Sequence, residues 1–270
     1  MRFTDRQKFT AYMQDEQPLK PANILNIVAI NQGKRPLTMT TPQAAPLSPA
    51  QAHQLIAAGH VVVDARSAAD YGAGHIPGAF NVQMSSSEFE QRVGWIAPPD
   101  APIILVTSTA AEAQQCVFKM AFVGLDQAVV GFLDAGIPAW MRAGYPIATV
   151  SQIDVHTLQR QLDAKAWHVL DVREKDEWDA GHIAAAYWLP YRDMVPQLDR
   201  PEQWRKLPLS LDAPIAVTCA TGKRSSTAIS ILLRRGYRHL YNVTGGMEAW
   251  RSAQFPTYNA ANQQVYPAPH

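Results

Sequence analysis

One short segment of this sequence combines a nucleophilic side chain with residues that would activate it. The segment reads Thr-Cys-Ala-Thr-Gly-Lys-Arg-Ser-Ser over positions 218–226, and its cysteine is Cys219. The apolar run before it predicts a β-strand, and the residues after Gly222 predict a helix. A loop between a strand and a helix can turn backbone N–H groups inward, and the helix N-terminus adds positive potential. We therefore expect this loop to stabilise Cys219 as a thiolate, the reactive form of cysteine.

Two basic side chains add to that expectation. Lys223 and Arg224 bring positive charge close to the thiol and to any oxyanion that approaches it. The segment thus predicts Cys219 as a catalytic nucleophile, whereas an isolated cysteine at a strand end is more often a small core residue. The residues predicted to bind the substrate are Ala220, Thr221, Gly222, Lys223 and Arg224.

The elements that must position this loop occur twice, because the chain carries an internal repeat. Asp64 and Asp171 lie 107 positions apart, as do His75 and His182 in two Gly-His-Ile triplets. Each copy alternates predicted strands with predicted helices. This alternation predicts an α/β fold of two tandem domains, each a parallel sheet flanked by helices on both faces. Ligands bind beyond the carboxyl ends of such strands, where Cys219 is expected.

The repeat also gives the expected division of the chain. At 270 residues, the sequence exceeds the usual domain length of about 100 to 200 residues. We assign residues 1–44 to an N-terminal arm and linker. Residues 45–150 form a predicted non-catalytic domain, and residues 151–270 form the predicted catalytic domain.

Five motifs of the second copy occur in a fixed order and spacing. They are Asp171-x-Arg173, Glu177-Trp178, Gly181-His182-Ile183, Cys219-x-x-Gly222-x-Arg224 and Gly245-Gly246-Met247-Glu248-Ala249-Trp250. Together they resemble the rhodanese family of sulfurtransferases, and the resemblance covers about residues 45–258 in two copies. It implies that Cys219 accepts a sulfane sulfur as a persulfide and passes it to a nucleophilic acceptor. It also implies that the amides from Ala220 to Arg224 cradle the outer sulfur and the donor oxygens.

The resemblance implies small molecules as donor and acceptor. The donor would be thiosulfate or a low-molecular-weight persulfide, and the acceptor cyanide, sulfite or a thiol. The Cys-x-x-Gly-x-Arg loop is closer to single-domain bacterial members than to mercaptopyruvate enzymes. Glu177 stands where tandem members carry an arginine, which argues against thiosulfate as the preferred donor.

The first copy differs at the equivalent loop. An offset of 112 places Thr107, Ala110 and Glu112 opposite the cysteine, glycine and arginine of the second loop. A threonine hydroxyl cannot carry sulfane sulfur, and a carboxylate repels an anionic donor. We therefore predict that the first domain is catalytically silent. The second cysteine of the chain, Cys116, is expected to be a core residue rather than a relay thiol.

Two other function classes stay open. A persulfide carrier or protein-docking module would use Cys219 with little turnover of small molecules. A phosphatase or arsenate reductase is the third class. Phosphatases of this fold place five residues between cysteine and arginine, whereas four intervene here and position 225 is a serine. The shorter loop favours sulfur over phosphorus, because the cradle must fit the reacting group closely.

Composition excludes several partners and cofactors. The chain has 24 basic and 23 acidic residues, so its net charge of +1 favours neither nucleic acid nor a membrane surface. No apolar run approaches the roughly 20 residues of a membrane span, and the N-terminus lacks an export signal. Two cysteines are too few for a disulfide framework, so we expect a cytoplasmic protein. No metal-ligand spacing occurs, and neither a metal nor a cofactor is predicted.

Other polar residues are expected to be structural. The pairs Asp64–Arg66 and Asp171–Arg173 are predicted to brace strand ends, and the two Gly-His-Ile histidines to orient the backbone. Residues 1–44 are similar to the tail that follows a metallo-β-lactamase domain in fused bacterial persulfide dioxygenases. A persulfide dioxygenase or an acceptor protein is therefore a candidate partner, and a simple wrapping arm is the alternative.

Overall fold

The chain forms two α/β domains, each built on a five-stranded sheet whose strand pairs are all parallel. This confirms the predicted fold class. No helix among the described residues is both long enough and apolar enough to cross a membrane. The computed structural model describes residues 5–7, 9–10, 23–35, 40, 42–97, 101–194 and 207–265.

The first sheet lies within residues 46–133. Its strands are β1 (Pro46–Leu47), β2 (Val61–Asp64), β3 (Phe80–Asn81), β4 (Ile103–Val106) and β5 (Val129–Leu133). They are ordered β1-β5-β4-β2-β3 across the sheet. The helices are α1 (Ile24–Asn31), α2 (Pro49–Ala57), α3 (Ala68–Ala73), α4 (Phe89–Ile96), α5 (Ala110–Ala121) and α6 (Gly136–Arg142), with a 3₁₀ turn at Asp126–Ala128.

The second sheet repeats this arrangement. Its strands are β6 (Ser151–Ile153), β7 (His168–Asp171), β8 (Tyr187–Trp188), β9 (Ile215–Thr218) and β10 (Leu240–Val243). Their order, β6-β10-β9-β7-β8, is that of the first sheet. The helices are α7 (Val155–Asp163), α8 (Lys175–Ala180), α9 (Tyr191–Met194), α10 (Lys223–Arg234) and α11 (Gly246–Ser252). An antiparallel pair, β11 (Thr257–Tyr258) and β12 (Gln264–Val265), follows.

The repeated Asp-x-Arg motifs brace the carboxyl ends of β2 and β7. In the second domain Arg173 Nη2 donates to Asp171 Oδ2 at 2.6 Å and to the carbonyl oxygen of Gly181 at 2.9 Å. Arg66 makes the same contacts with Asp64 and Gly74 in the first domain. Each arginine thus ties its strand to the Gly-His-Ile turn, which confirms the predicted structural role.

The two Gly-His-Ile histidines are also structural. His75 stacks on Tyr71, and its Nδ1 lies 2.9 Å from the Tyr71 carbonyl oxygen. His182 stacks on Trp178 in the same way, with Nδ1 3.0 Å from the Trp178 carbonyl oxygen. Burial lowers the pKa of His75 to about 4. The contacts match the predicted backbone-orienting role.

Only part of the N-terminal arm lies within the described residues. Asn23 Nδ2 donates to the Val123 carbonyl at 2.7 Å, and Asn26 Nδ2 donates to the Gly124 carbonyl at 2.8 Å. Helix α1 therefore contacts the first domain. Residues 11–22, which carry much of the similarity to a fusion-protein tail, lie outside the described residues.

Helix α10 of the second domain lies against β3 of the first. Ser226 Oγ donates to Asn81 Oδ1 at 2.5 Å, and Thr227 Oγ1 donates to the Asn81 carbonyl at 2.7 Å. At the far end of the helix, Arg234 Nη1 donates to the Gly78 carbonyl at 2.6 Å. One continuous set of buried apolar side chains extends through both domains. The first domain therefore fixes the helix that follows Cys219.

We expect the Arg173→Ala substitution to lower the free energy of unfolding by about 3–5 kcal/mol, because Asp171 would keep a buried charge without its partner. Urea unfolding measures this change. Lys175→Ala is the control, because Lys175 pairs with Asp179 on the surface and is 69% exposed. The control should cost no more than about 0.5 kcal/mol. Equal losses in the two variants would contradict the assigned role of the buried pair.

Candidate active site

Cys219 lies where the sequence predicts it, directly after β9 at the carboxyl end of the sheet. The strand consists of four buried residues, so the chain emerges from the core at the cysteine. Gly222, with φ of +92°, ends the loop and precedes the first residue of α10. Glycine adopts this left-handed conformation without the strain that a side chain would add. The Cys219 side chain is 1% exposed.

The thiol sits at the positive end of α10. The Gly222 amide donates to Cys219 Sγ at 3.1 Å, and Ser225 Oγ lies 3.6 Å from the same sulfur. The first N–H groups of a helix have no partner within the helix, and its dipole favours negative charge at this end. A thiolate or another anion next to Sγ is therefore stabilised by the position itself.

The Gly-Gly-Met-Glu segment at the start of α11 holds the loop from behind. The Met247 amide donates to the Cys219 carbonyl at 2.8 Å, and the Glu248 amide donates to the Ala220 carbonyl at 3.0 Å. Both carbonyls are thereby directed toward α11. Gly246 makes this approach possible, because a Cβ there would collide with the Cys219 carbonyl oxygen and lie 2.7 Å from that of Ala220.

The positive charge of Arg224 acts on Cys219, but Arg224 is also paired with the Glu177 carboxylate. The two side chains form a bidentate ion pair with N–O distances of 2.5 and 2.6 Å. Burial raises the pKa of Glu177, but the hydrogen bonds and charge of Arg224 outweigh it and hold that pKa below its usual value. Burial lowers the pKa of Arg224, and Glu177 and the nearby Cys219 reverse this shift, so the pKa is raised.

A polar cleft of about 530 Å³ opens beside the loop, between the two domains. Lys223 Nζ crosses it and donates to the Ser85 carbonyl at 3.2 Å. Sequence patterns alone missed the contribution of the first domain, because Ser85 lies 138 positions from Lys223. The lining residues are Ser85, Ser86, Ser87, Glu88, Arg92, Glu174, Glu177, Arg192, Thr221, Lys223 and Arg224.

Three further polar residues lie behind the loop. Ser225 Oγ donates to Asn242 Oδ1 at 2.6 Å, and Asn242 Nδ2 donates to Gln152 Oε1 at 2.7 Å. Asn242 Nδ2 also lies 3.3 Å from the Gly222 carbonyl oxygen. The family motif gave no role to Ser225 beyond excluding an arginine at that position, and no local signal identified Asn242. Among the described residues, no group of three or more His, Cys, Asp and Glu side chains forms a possible metal site.

In the equivalent loop of the first domain, nearby side chains form hydrogen bonds with the loop backbone. Thr107 Oγ1 donates to the Thr109 carbonyl at 2.9 Å, and the Ser108 amide donates to Glu112 Oε2 at 2.8 Å. The Glu112 carboxylate therefore takes an amide that would otherwise be open to an anion. Cys116 is fully buried in α5, and burial raises its pKa to about 12. This agrees with its predicted role in the core.

The offset of 112 holds on both sides of this loop. Ile103 and Ile215 begin β4 and β9, and at the far end of the helix the Gly124 amide donates to the Ala121 carbonyl as the Gly236 amide donates to that of Leu233. Helix α5 begins at Ala110 and α10 at Lys223, one position later in the repeat, because Thr109 caps α5 whereas Gly222 precedes α10. Glu112 therefore occupies the repeat position of Arg224.

A family model described as "Rhodanese-like domain" matches residues 48–143 and 154–253. The chain belongs to the rhodanese-like family. Thiosulfate sulfurtransferase GlpE of Vibrio cholerae serotype O1 is 32% identical over 104 residues, which are 38% of this chain and 91% of that protein. Thiosulfate sulfurtransferase GlpE of Pseudomonas paraeruginosa is 29% identical over 93 residues, or 34% of this chain and 77% of its own.

Solved structures include similar domains. The rhodanese-like domain of the Anabaena sp. protein Alr3790 has 27% sequence identity and a TM-score of 0.35, and the match covers 44% of this chain and 86% of that one. The two GlpE matches each cover less than half of this chain, so each is comparable in length with one of its two domains.

We expect Gly246→Ala to disrupt the loop, because the new methyl group would displace the Cys219 and Ala220 carbonyls. Gly144→Ala is the matched control, since Gly144 also has positive φ, +79°, but open space around it. Backbone strain alone should cost the control about 1–2 kcal/mol. Thermal unfolding and the rate of Cys219 alkylation measure both effects. Only Gly246→Ala should change the alkylation rate. An unchanged rate in that variant would contradict the role of Gly246 in holding the loop against α11.

Proposed function

We propose that this chain is a sulfurtransferase that carries a sulfane sulfur as a persulfide on Cys219. The observation that carries the proposal is the position of Sγ, which accepts the Gly222 N–H at the start of α10. A thiolate is the reactive nucleophile, and this position stabilises it. The family and the relatives named thiosulfate sulfurtransferase support the same class of reaction.

The transfer has two halves. The Cys219 thiolate attacks the sulfane sulfur of the donor, the bond from Sγ to that sulfur forms, and the sulfur–sulfur bond of the donor breaks. The bonding electron pair leaves with sulfite or with the donor thiolate. The acceptor then attacks the outer sulfur, and the electron pair of the broken bond returns to Sγ. The amides from Ala220 to Arg224 hold the donor oxygens in the first half and the outer sulfur in both halves.

The cleft favours a low-molecular-weight persulfide over thiosulfate. Thiosulfate is a small dianion and gains most from positive charge beside Sγ. Here Glu177 offsets the charge of Arg224. The cleft also holds side chains of both signs, including Glu88, Arg92 and Arg192, so it suits a larger donor that carries both carboxylate and ammonium groups.

In this proposal the first domain binds no sulfur and serves the second. Its equivalent loop has no thiol, and the Glu112 carboxylate occupies a loop amide. Its contributions are the contacts of Asn81 with α10 and the Ser85–Arg92 wall of the cleft.

Intact mass of the full chain tests the transfer. After incubation with thiosulfate or glutathione persulfide, the protein should gain about 32 Da on Cys219, and cyanide should remove it as thiocyanate. The adduct should be absent from Cys219→Ser and present in Cys116→Ser, the matched control. A folded protein that takes up no sulfur from either donor would refute the proposal. A persulfide that cyanide and small thiols leave in place would instead indicate a carrier.

We further expect Glu177→Gln to raise kcat/KM for thiosulfate by about fivefold, because removal of one negative charge beside a dianion is worth about 1 kcal/mol. The gain should shrink at high salt, which screens the interaction. Asp176→Asn is the control, because it removes the same charge from an exposed neighbour on α8. Similar gains in both variants, or none in Glu177→Gln, would contradict this role of Glu177.

A further inference from the structure

The polar residues behind the loop contain a hydrogen bond that depends on the protonation state of Cys219. Ser225 is 0% exposed and Asn242 is 1% exposed, so water does not replace their contacts. Ser225 Oγ lies 3.6 Å from Cys219 Sγ and 2.6 Å from Asn242 Oδ1. One hydroxyl therefore faces two groups that both accept hydrogen bonds when the cysteine is a thiolate.

Ser225 has a single hydroxyl hydrogen. Asn242 Oδ1 is an acceptor only, and the amide group of Asn242 is directed to Gln152 and Gly222. The hydrogen bond between Ser225 and Asn242 must therefore use the serine hydrogen. Because that hydrogen is used, Ser225 Oγ can only accept a hydrogen bond from Cys219 Sγ. A thiol S–H can donate that hydrogen bond.

A thiolate has no hydrogen to donate and binds donors instead. Rotation of the Ser225 hydroxyl about its Cβ–Oγ bond would direct its hydrogen to Sγ. The Ser225 Oγ and Asn242 Oδ1 oxygens, 2.6 Å apart with the hydrogen between them, would then separate. The bond given up joins two neutral groups, and the bond gained is to an anion. Hydrogen bonds to ionised groups are about twice as strong as neutral ones.

We propose that Ser225 is a catalytic residue that transfers its hydrogen bond from Asn242 to Cys219 Sγ when the thiol is deprotonated. The thiol proton goes to solvent, and Ser225 stays neutral. The catalytic consequence rests on the proposed sulfur transfer. When the persulfide forms, Sγ becomes neutral and the hydroxyl returns to Asn242. When the acceptor removes the outer sulfur, Ser225 again stabilises the thiolate as the leaving group.

The charged groups around Cys219 are engaged by other residues. On α10, Arg224 acts on Cys219 through its charge and is held by Glu177 of α8. Lys223 donates to the first domain. Tyr191 of α9 interacts electrostatically with Arg224. None of the contacts given above for these groups involves Ser225, so its substitution leaves them in place.

Two other elements bring charge to the loop. At the end of β7, Asp171 is paired with Arg173. On α11, Glu248 donates its backbone amide to the Ala220 carbonyl. These contacts also leave the serine hydroxyl untouched, and the change expected on substitution of Ser225 is specific to that hydroxyl.

The test is the pH dependence of Cys219 alkylation by iodoacetamide in the full chain, followed by peptide mass. We expect Ser225→Ala to move the midpoint of the rate profile upward by about one pH unit, a tenfold loss of reactive thiolate below the midpoint. Ser230→Ala is the matched control, because Ser230 is a buried serine of the same helix and its hydroxyl donates to the Thr227 carbonyl. Its midpoint should equal that of the wild type. Coincident midpoints in wild type and Ser225→Ala, or an equal shift in the control, would overturn the proposal.

Asn242→Ala supplies a second test of opposite sign, which also decides the case if Ser225→Ala does not fold. Without Oδ1 the serine hydrogen is left to Sγ, so the midpoint should fall below that of the wild type. A midpoint at or above the wild-type value would overturn the proposal. Alkylation needs no sulfur donor. A protein that shows these shifts but takes up no sulfur would therefore refute the proposed function and leave the role of Ser225 standing.

Discussion

The geometry at Cys219 depends on two backbone hydrogen bonds, from the Met247 and Glu248 amides to the carbonyls of Cys219 and Ala220. They hold these two loop carbonyls against α11, so the loop amides are available to the sulfur. Because a side chain at Gly246 would occupy the space these bonds need, a glycine is required there for packing. The position of Sγ at the start of α10 follows from this constraint.

The two domains have the same strand order. They differ in which group accepts a hydrogen bond from the loop amides, a sulfur in one and a carboxylate in the other. In the second domain the loop amide of Gly222 donates to a sulfur, and the first turn of α10 contains no acidic residue. In the first, Glu112 binds the Ser108 amide and caps the loop from within. A carboxylate there stabilises the fold at the N-terminus of α5 and fills the place where an anion would bind. The same helix end thus lies beside a carboxylate in one copy and beside a thiol in the other.

The first domain remains essential to the geometry. Helix α10 carries the loop at one end, and its Ser226, Thr227 and Arg234 side chains all bind the first domain. These contacts place the Ser85–Arg92 segment across the cleft from Lys223 and Arg224. The charge beside the sulfur is therefore set jointly by both domains and by Glu177 of α8.

The sequence by itself determined the repeat, the α/β class, the position of Cys219 at a strand end and the structural roles of the Asp-x-Arg and Gly-His-Ile motifs. These depend on local periodicity, or on short motifs whose contacts lie within a few residues. Only the tertiary structure decided the Glu177–Arg224 pair, the cleft wall from the first domain and the chain from Ser225 through Asn242 to Gln152. These contacts join residues 17 to 138 positions apart, and no local pattern records which distant side chains meet. The earlier start of α5 in the repeat, at Ala110, has the same origin, because helix starts depend on capping contacts that a constant offset ignores.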